Sequence, residues 1–172
     1  QAELRASEVL ERAKQGRVLA ARKLGTSLSR EGMTQEARRL LEREIAHEPA
    51  ADLCIALGQA LQSEGDLAGA EAQFQRALTL LPGHGEAFRA LSAARKVQPE
   101  DDLPARIDKA LARRDQPAPL RWRLHFAQAK ALADLGRHEA VFGHLHQANR
   151  LQRKAFAYDF ETSVSLARAS LV

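Results

Sequence analysis

Histidines, cysteine and clustered acids are the side chains with which this sequence could do chemistry, and their spacing decides whether they can. Of the six histidines, His144 and His146 stand two apart. On a helix that offset turns them about 200° away from each other, so they cannot share one ion. His138 and His144 are six apart, and no carboxylate stands at an interval that would complete a tetrahedral metal set. Cys54 is the single cysteine, which excludes an internal disulfide framework and a cysteine-built zinc site. It lies three residues before Leu57 with no base beside it, and so reads as a packed thiol rather than a nucleophile. The acidic run PEDD (99–102) lacks the alternating ligands and later glutamate of a calcium loop, and reads as a solvated loop. Trp122 opens a helix after QPAP and is assigned to the core. No catalytic residue, metal ion or cofactor is expected from these patterns.

The elements that carry these side chains are predicted to be helices. Aromatic residues make up only 5% of the 172 positions, and Ala, Leu, Arg, Glu and Gln dominate, so helix formers abound where strand formers are scarce. No apolar run approaches the ~18 residues that cross a membrane, and no charged-then-apolar leader opens the chain. The lone cysteine suits a cytoplasmic setting. The formal net charge of +4 is too small to argue for nucleic acid by itself. Gln1 in place of an initiator methionine reads as the start of a piece of a longer protein.

Those helices follow a repeat. From Cys54 the sequence runs Cys54-x-x-Leu57-Gly58-x-x-Leu61, then Gly65, Ala70-x-x-x-Phe74, Ala77 and Pro82. Thirty-three residues earlier stand Ala21-x-x-Leu24-Gly25-x-x-Leu28, Gly32, Ala37-x-x-x-Leu41 and Pro49. Fixed residue sizes at fixed spacing, without reactive groups, are what packing demands. Small residues such as Gly58 and Ala70 let two antiparallel helices approach, and Phe74 and Leu61 fill the seam beside them. Gly65, Gly32 and Gly136 sit where a turn needs positive φ, and Pro49 and Pro82 stop the second helix of each pair.

This order of small, large and breaking residues resembles the tetratricopeptide repeat. The resemblance implies an all-α fold, a right-handed superhelix of antiparallel helix pairs with about ten helices in all. The units are placed at 18–50, 51–84, 85–118 (degenerate, with a loop) and 119–153, between a capping helix within 1–16 and a last helix at 158–172. The second half is similar to the repeat region of bacterial proteins that carry a C-terminal sulfotransferase domain. His125-Phe126-Ala127, Leu135-Gly136-Arg137, Ala148-Asn149-Arg150-Leu151 and Tyr158-Asp159 carry that likeness. It implies a sulfotransferase neighbour using a phosphosulfate donor. The sequence itself holds no Gly-rich basic loop for such a donor.

In stacked helix pairs the first helix of each unit lines a groove. Its free face is predicted to carry Arg22, Lys23, Thr26 and Arg30 in the first unit and Gln59 and Gln62 in the second. Arg89 and Lys96 follow from the third, and Arg123, Phe126 and Lys130 from the fourth, with Asp52 and Glu86 near the rim. Cations and amides in such a groove suit carboxylates or phosphates on a partner. The expectation is a non-catalytic module that binds a protein or peptide, acidic in character, and neither nucleic acid nor membrane. The alternative is a substrate-positioning region of a sulfotransferase.

Overall fold

The computed structural model describes residues 2–113 and 121–155. Among them lie eight helices and no strand: α1 (Ala2–Arg30), α2 (Thr34–His47), α3 (Ala51–Glu64), α4 (Leu67–Leu80), α5 (Gly85–Ala94), α6 (Leu103–Ala112), α7 (Trp122–Asp134) and α8 (His138–Ala155). The pairs α1–α2, α3–α4 and α7–α8 are hairpins, and α1, α3, α5 and α7 lie in succession against one another. The result is an all-α solenoid.

The local signals act as their chemistry requires. Gly65 ends α3 at φ 85°, a left-handed conformation that L side chains rarely adopt, and Gly32 and Gly136 do the same at the matching turns. One residue on, the Asp66 carboxylate accepts from the Gly69 N–H at 2.8 Å and caps α4. α2 and α4 stop at His47 and Leu80, just before Pro49 and Pro82. Between the helices of a pair the fit is close. A methyl at Gly58 would lie 2.8 Å from Phe74 Cδ1, and one at Gly25 would lie 2.9 Å from Leu41 Cδ1. Phe74, Phe88, Leu41, Leu53, Leu91, Ile107 and Leu124 fill one continuous core with Cys54 among them.

Two expectations need correction. The helix count is eight among the described residues rather than about ten. The cap predicted within 1–16 is not a separate helix, because α1 runs unbroken from Ala2 to Arg30. Gly16 is the one helix-weakening residue there, and glycine costs a helix only about 1 kcal/mol where proline would break it. Arg17 then ties α1 to α2 by donating to Glu44 at 2.8 Å. The helix expected at 158–172 lies outside the described residues, as does Tyr158-Asp159.

The loop 95–102 is also more ordered than PEDD suggested. Arg95 grips both oxygens of Asp101 at 2.7 and 2.9 Å, and Asp101 also accepts the Gln98 N–H. Val97 turns inward and is buried, its N–H held by Asp134 at 2.9 Å. This inward turn carries the chain to α6, which packs against α7. Gln128, at the register position that Leu57 and Leu91 hold in the preceding units, is buried and donates to Asp108 at 2.8 Å and to the Pro104 carbonyl, joining α7 to α6.

Candidate interaction groove

A groove of about 1090 Å³ runs along the first helices of the pairs. Its lining obeys a simple register. Counting from the repeat landmarks, one position gives Asp52, Glu86 and Arg123 in the second to fourth units. Three residues further on stand Arg22, Ile55, Arg89 and Phe126, and four beyond those stand Thr26, Gln59, Ala93 and Lys130. Offsets of three and seven share one face of a helix, so each first helix shows the same stripe and stacking sets the stripes side by side.

Seven predicted residues therefore converge on the groove: Arg22, Thr26, Gln59, Arg89, Arg123, Phe126 and Lys130. Lys23, Arg30, Gln62 and Lys96 lie outside its lining. Lys23 is one residue, about 100°, around the helix from Arg22. Gln62 and Lys96 share a fourth register beyond the groove's edge, and α5 ends at Ala94, leaving Lys96 in the loop. Arg30 is the last residue of α1.

The electrostatics are closer to balance than a count of arginines suggests. Glu86, assigned to the rim, lies inside and holds two of the cations. Arg89 donates to both of its oxygens, with Nε at 3.2 and 3.0 Å, and Arg123 Nε reaches Oε2 at 3.0 Å. The carboxylate of Glu86 raises the Arg89 guanidinium above its ordinary range. Lys130 is paired with Asp134 in its own helix. Asp52 is bound by His84 Nε2 at 3.2 Å, and its carboxyl lies below the usual range, chiefly through that hydrogen bond and helped by nearby Arg22 and Arg123. His84 Nδ1 accepts the Ala87 N–H and so caps α5, which leaves Nε2 to donate to Asp52. Arg22 stands apart: its Nε is buried and finds no hydrogen-bond acceptor among the described residues. Thr26 spends its hydroxyl on the Arg22 carbonyl at 2.9 Å.

The far end is aromatic. The Arg123 guanidinium lies 4.3 Å over the Trp122 ring, and Trp122 meets Phe126 edge-on with centroids 5.8 Å apart. Trp122, assigned to the core, is thus half-buried on the groove wall. Ile55, Ala56, Leu81 and Ala93 supply an apolar floor between this end and Arg22. Asp52 and Glu86 were legible only as one position repeated in two units. The contact of His84 with Asp52 left no trace in the sequence, because the two lie 32 residues apart.

Away from the groove, His125 and His144 meet between α7 and α8, their Nδ1 atoms 3.1 Å apart. Burial, with His144 and the charges of Arg121 and Arg150, holds His125 down at about 4. Among the described residues no three His, Cys, Asp or Glu side chains gather as a metal site requires. Cys54 is fully buried, and burial pushes its thiol up. No described helix is long and apolar enough to cross a membrane.

Comparison with known proteins agrees with this architecture. The family model of the tetratricopeptide repeat matches residues 51–84, the α3–α4 hairpin. No curated protein matches the sequence. Among solved structures, one described as the crystal structure of MamA is similar over 90% of this chain and 89% of its own, at 20% identity and a TM-score of 0.58. A second, described as the crystal structure of MamA protein, covers 91% and 84% at 20% identity and 0.55. A third, MamA MSR-1 C2, covers 80% and 78% at 23% identity and 0.51. These matches do not support the sulfotransferase likeness of 124–159. At such identities the likeness is one of fold, and the chain is a helical-repeat solenoid containing a tetratricopeptide repeat.

Proposed function

We propose that the chain is a non-catalytic interaction module that binds a segment of a partner protein in the groove lined by α1, α3, α5 and α7. One observation carries this reading. Most of the groove lining comes from the same three register positions in successive units, and those positions hold groups suited to binding (cationic, carboxylate, hydroxyl, amide, aromatic and aliphatic side chains) rather than a nucleophile paired with a base. A cleft of about 1090 Å³ that sets charged and polar side chains around an apolar floor offers a partner segment both burial and polar recognition. The groove lining sets Arg22, Arg89, Arg113, Arg123 and Lys130 against only Asp52 and Glu86, and that excess of cations favours an acidic partner segment, with Thr26, Gln59 and Phe126 beside them.

The test is a capture experiment with a blocked groove. Ala93 is exposed on the wall, so Ala93→Tyr fills the cleft without entering the core. A partner retained by the wild type and by Arg43→Glu on the exposed face of α2, yet lost by Ala93→Tyr, is the expected result. Retention by Ala93→Tyr would overturn the groove as the binding site.

A second reading places the same groove in the service of a covalently attached sulfotransferase, and the phrase at 124–159 is its support. A strand followed by a Gly-rich basic loop, encoded downstream of Val172 in the gene, is what it requires.

A further inference from the structure

We propose, building on the groove reading above, that Arg123 receives a carboxylate of the partner segment, and that Trp122 and Glu86 are positioning residues that hold its guanidinium aimed. An arginine grips a carboxylate best when its planar fork is already ordered, because ordering a long side chain on binding costs affinity. Arg123 is fixed at three points. A methyl on Gly85 would lie 3.1 Å from Arg123 Cβ, so the stem starts close against α5. Its Nε donates to Glu86 Oε2 at 3.0 Å, and its guanidinium carbon lies 4.3 Å from the centre of the Trp122 ring. Trp122 is in turn set by Phe126, which meets it edge-on.

These contacts leave the other edge of the guanidinium open. Nε is the only nitrogen of Arg123 bonded among the described residues, and neither Nη atom is buried. The side chain is 29% exposed and lines the groove. Its two Nη–H groups therefore offer the fork from which both oxygens of a carboxylate can accept. Arg89 differs, because it has turned Nε and Nη2, a whole edge, onto Glu86. The single charge of Glu86 is shared by two guanidiniums, and Arg113 adds another cation to the lining. The surroundings of Arg123 thus stay positive with Glu86 in place. Asp52, the other acid of the lining, is turned to His84. The carboxylate has two sources, an Asp or Glu side chain or a chain end, and the experiment separates them.

Short peptides panned on the wild type from a random library are the probes. Each is remade with its acids changed singly to amides, and separately with its C-terminus amidated. Calorimetric titrations then compare the wild type, Arg123→Lys, Trp122→Leu and Trp122→Phe. One of these peptide changes is expected to cost the wild type about tenfold in affinity, and it identifies the carboxylate and its source. Arg123→Lys keeps the charge without the planar fork, so the same change costs it about threefold or less. Trp122→Leu loses the discrimination in the same way, and Trp122→Phe, which keeps a ring face, restores it. A merely structural tryptophan would weaken acid and amide peptides alike. Discrimination by Arg123→Lys equal to that of the wild type, or wild-type binding indifferent to every carboxylate, overturns the proposal; the groove reading stands if Ala93→Tyr still blocks the peptides. Peptides that bind Ala93→Tyr at full strength, or a library that yields none, sink the groove reading and this inference with it.

Discussion

Replacing Gly58 with alanine tests the seam on which the solenoid is built. The glycine lies in α3 against Phe74 of α4, and the new methyl would stand 2.8 Å from Cδ1 and 2.9 Å from Cζ of that ring. Phe74 is 0% exposed, so the ring has no empty space into which to move. Overpacking of this kind costs about 1–3 kcal/mol, and contacts this short belong in the upper half of that range. Alanine in place of a helical glycine recovers about 1 kcal/mol, which leaves a net loss of about 1–2 kcal/mol. For a protein of this size that lowers the melting temperature by about 2–8 °C. Thermal melts followed by circular dichroism would measure it. Gly16→Ala in α1 is the control, since nothing lies within 4 Å of its methyl and only the helical gain remains. Gly25→Ala falls between them, because the Leu41 side chain it meets at 2.9 Å is flexible. A Gly58→Ala protein that melts at or above the wild type would refute the claim that close approach, rather than helix propensity, explains the glycine.

Further perturbations have outcomes of known direction. Cys54 should resist a thiol reagent in the native protein and react fully in urea, since it is buried with a raised pKa; rapid native labelling would place it elsewhere. Asp101 is held at about 2 by Arg95 and by the Gln98 N–H, so its support of the 95–102 loop is complete above the ordinary carboxylate value of about 3.9 and fades as pH falls toward 2. Asp101→Asn should cost about 0.5–1 kcal/mol at neutral pH, read from urea melts, and lose that acid limb. His125, held at about 4, leaves the unfolded chain to bind the extra proton between there and about 6.5, so stability drops as pH falls through that window. An imidazole titration by NMR that places His125 above 6 would contradict its burial against His144.

Much of the fold was legible because its causes are local and periodic. The Gly65 turn, the stops at Pro49 and Pro82, and the Gly58–Phe74 pairing each follow from residue size and backbone freedom at a fixed interval. The groove registers follow from the same repeat: offsets of three and seven on a helix fix which side chains share a face, whatever they touch. That is why Arg22, Arg89 and Phe126 were found without coordinates.

Only the tertiary structure decided what those side chains do once assembled. The continuity of α1 through Gly16, the inward turn at Val97, and the packing of α6 on α7 depend on long-range contacts that outweigh weak local signals. Glu86 reaches Arg123 across 37 residues, and His125 reaches His144 across 19. Long charged side chains choose partners by distance in space, and each pairing removes a charge that the sequence would have counted as available. The sequence therefore marked which side chains share the groove face, and three-dimensional pairing decided which of them hold one another there.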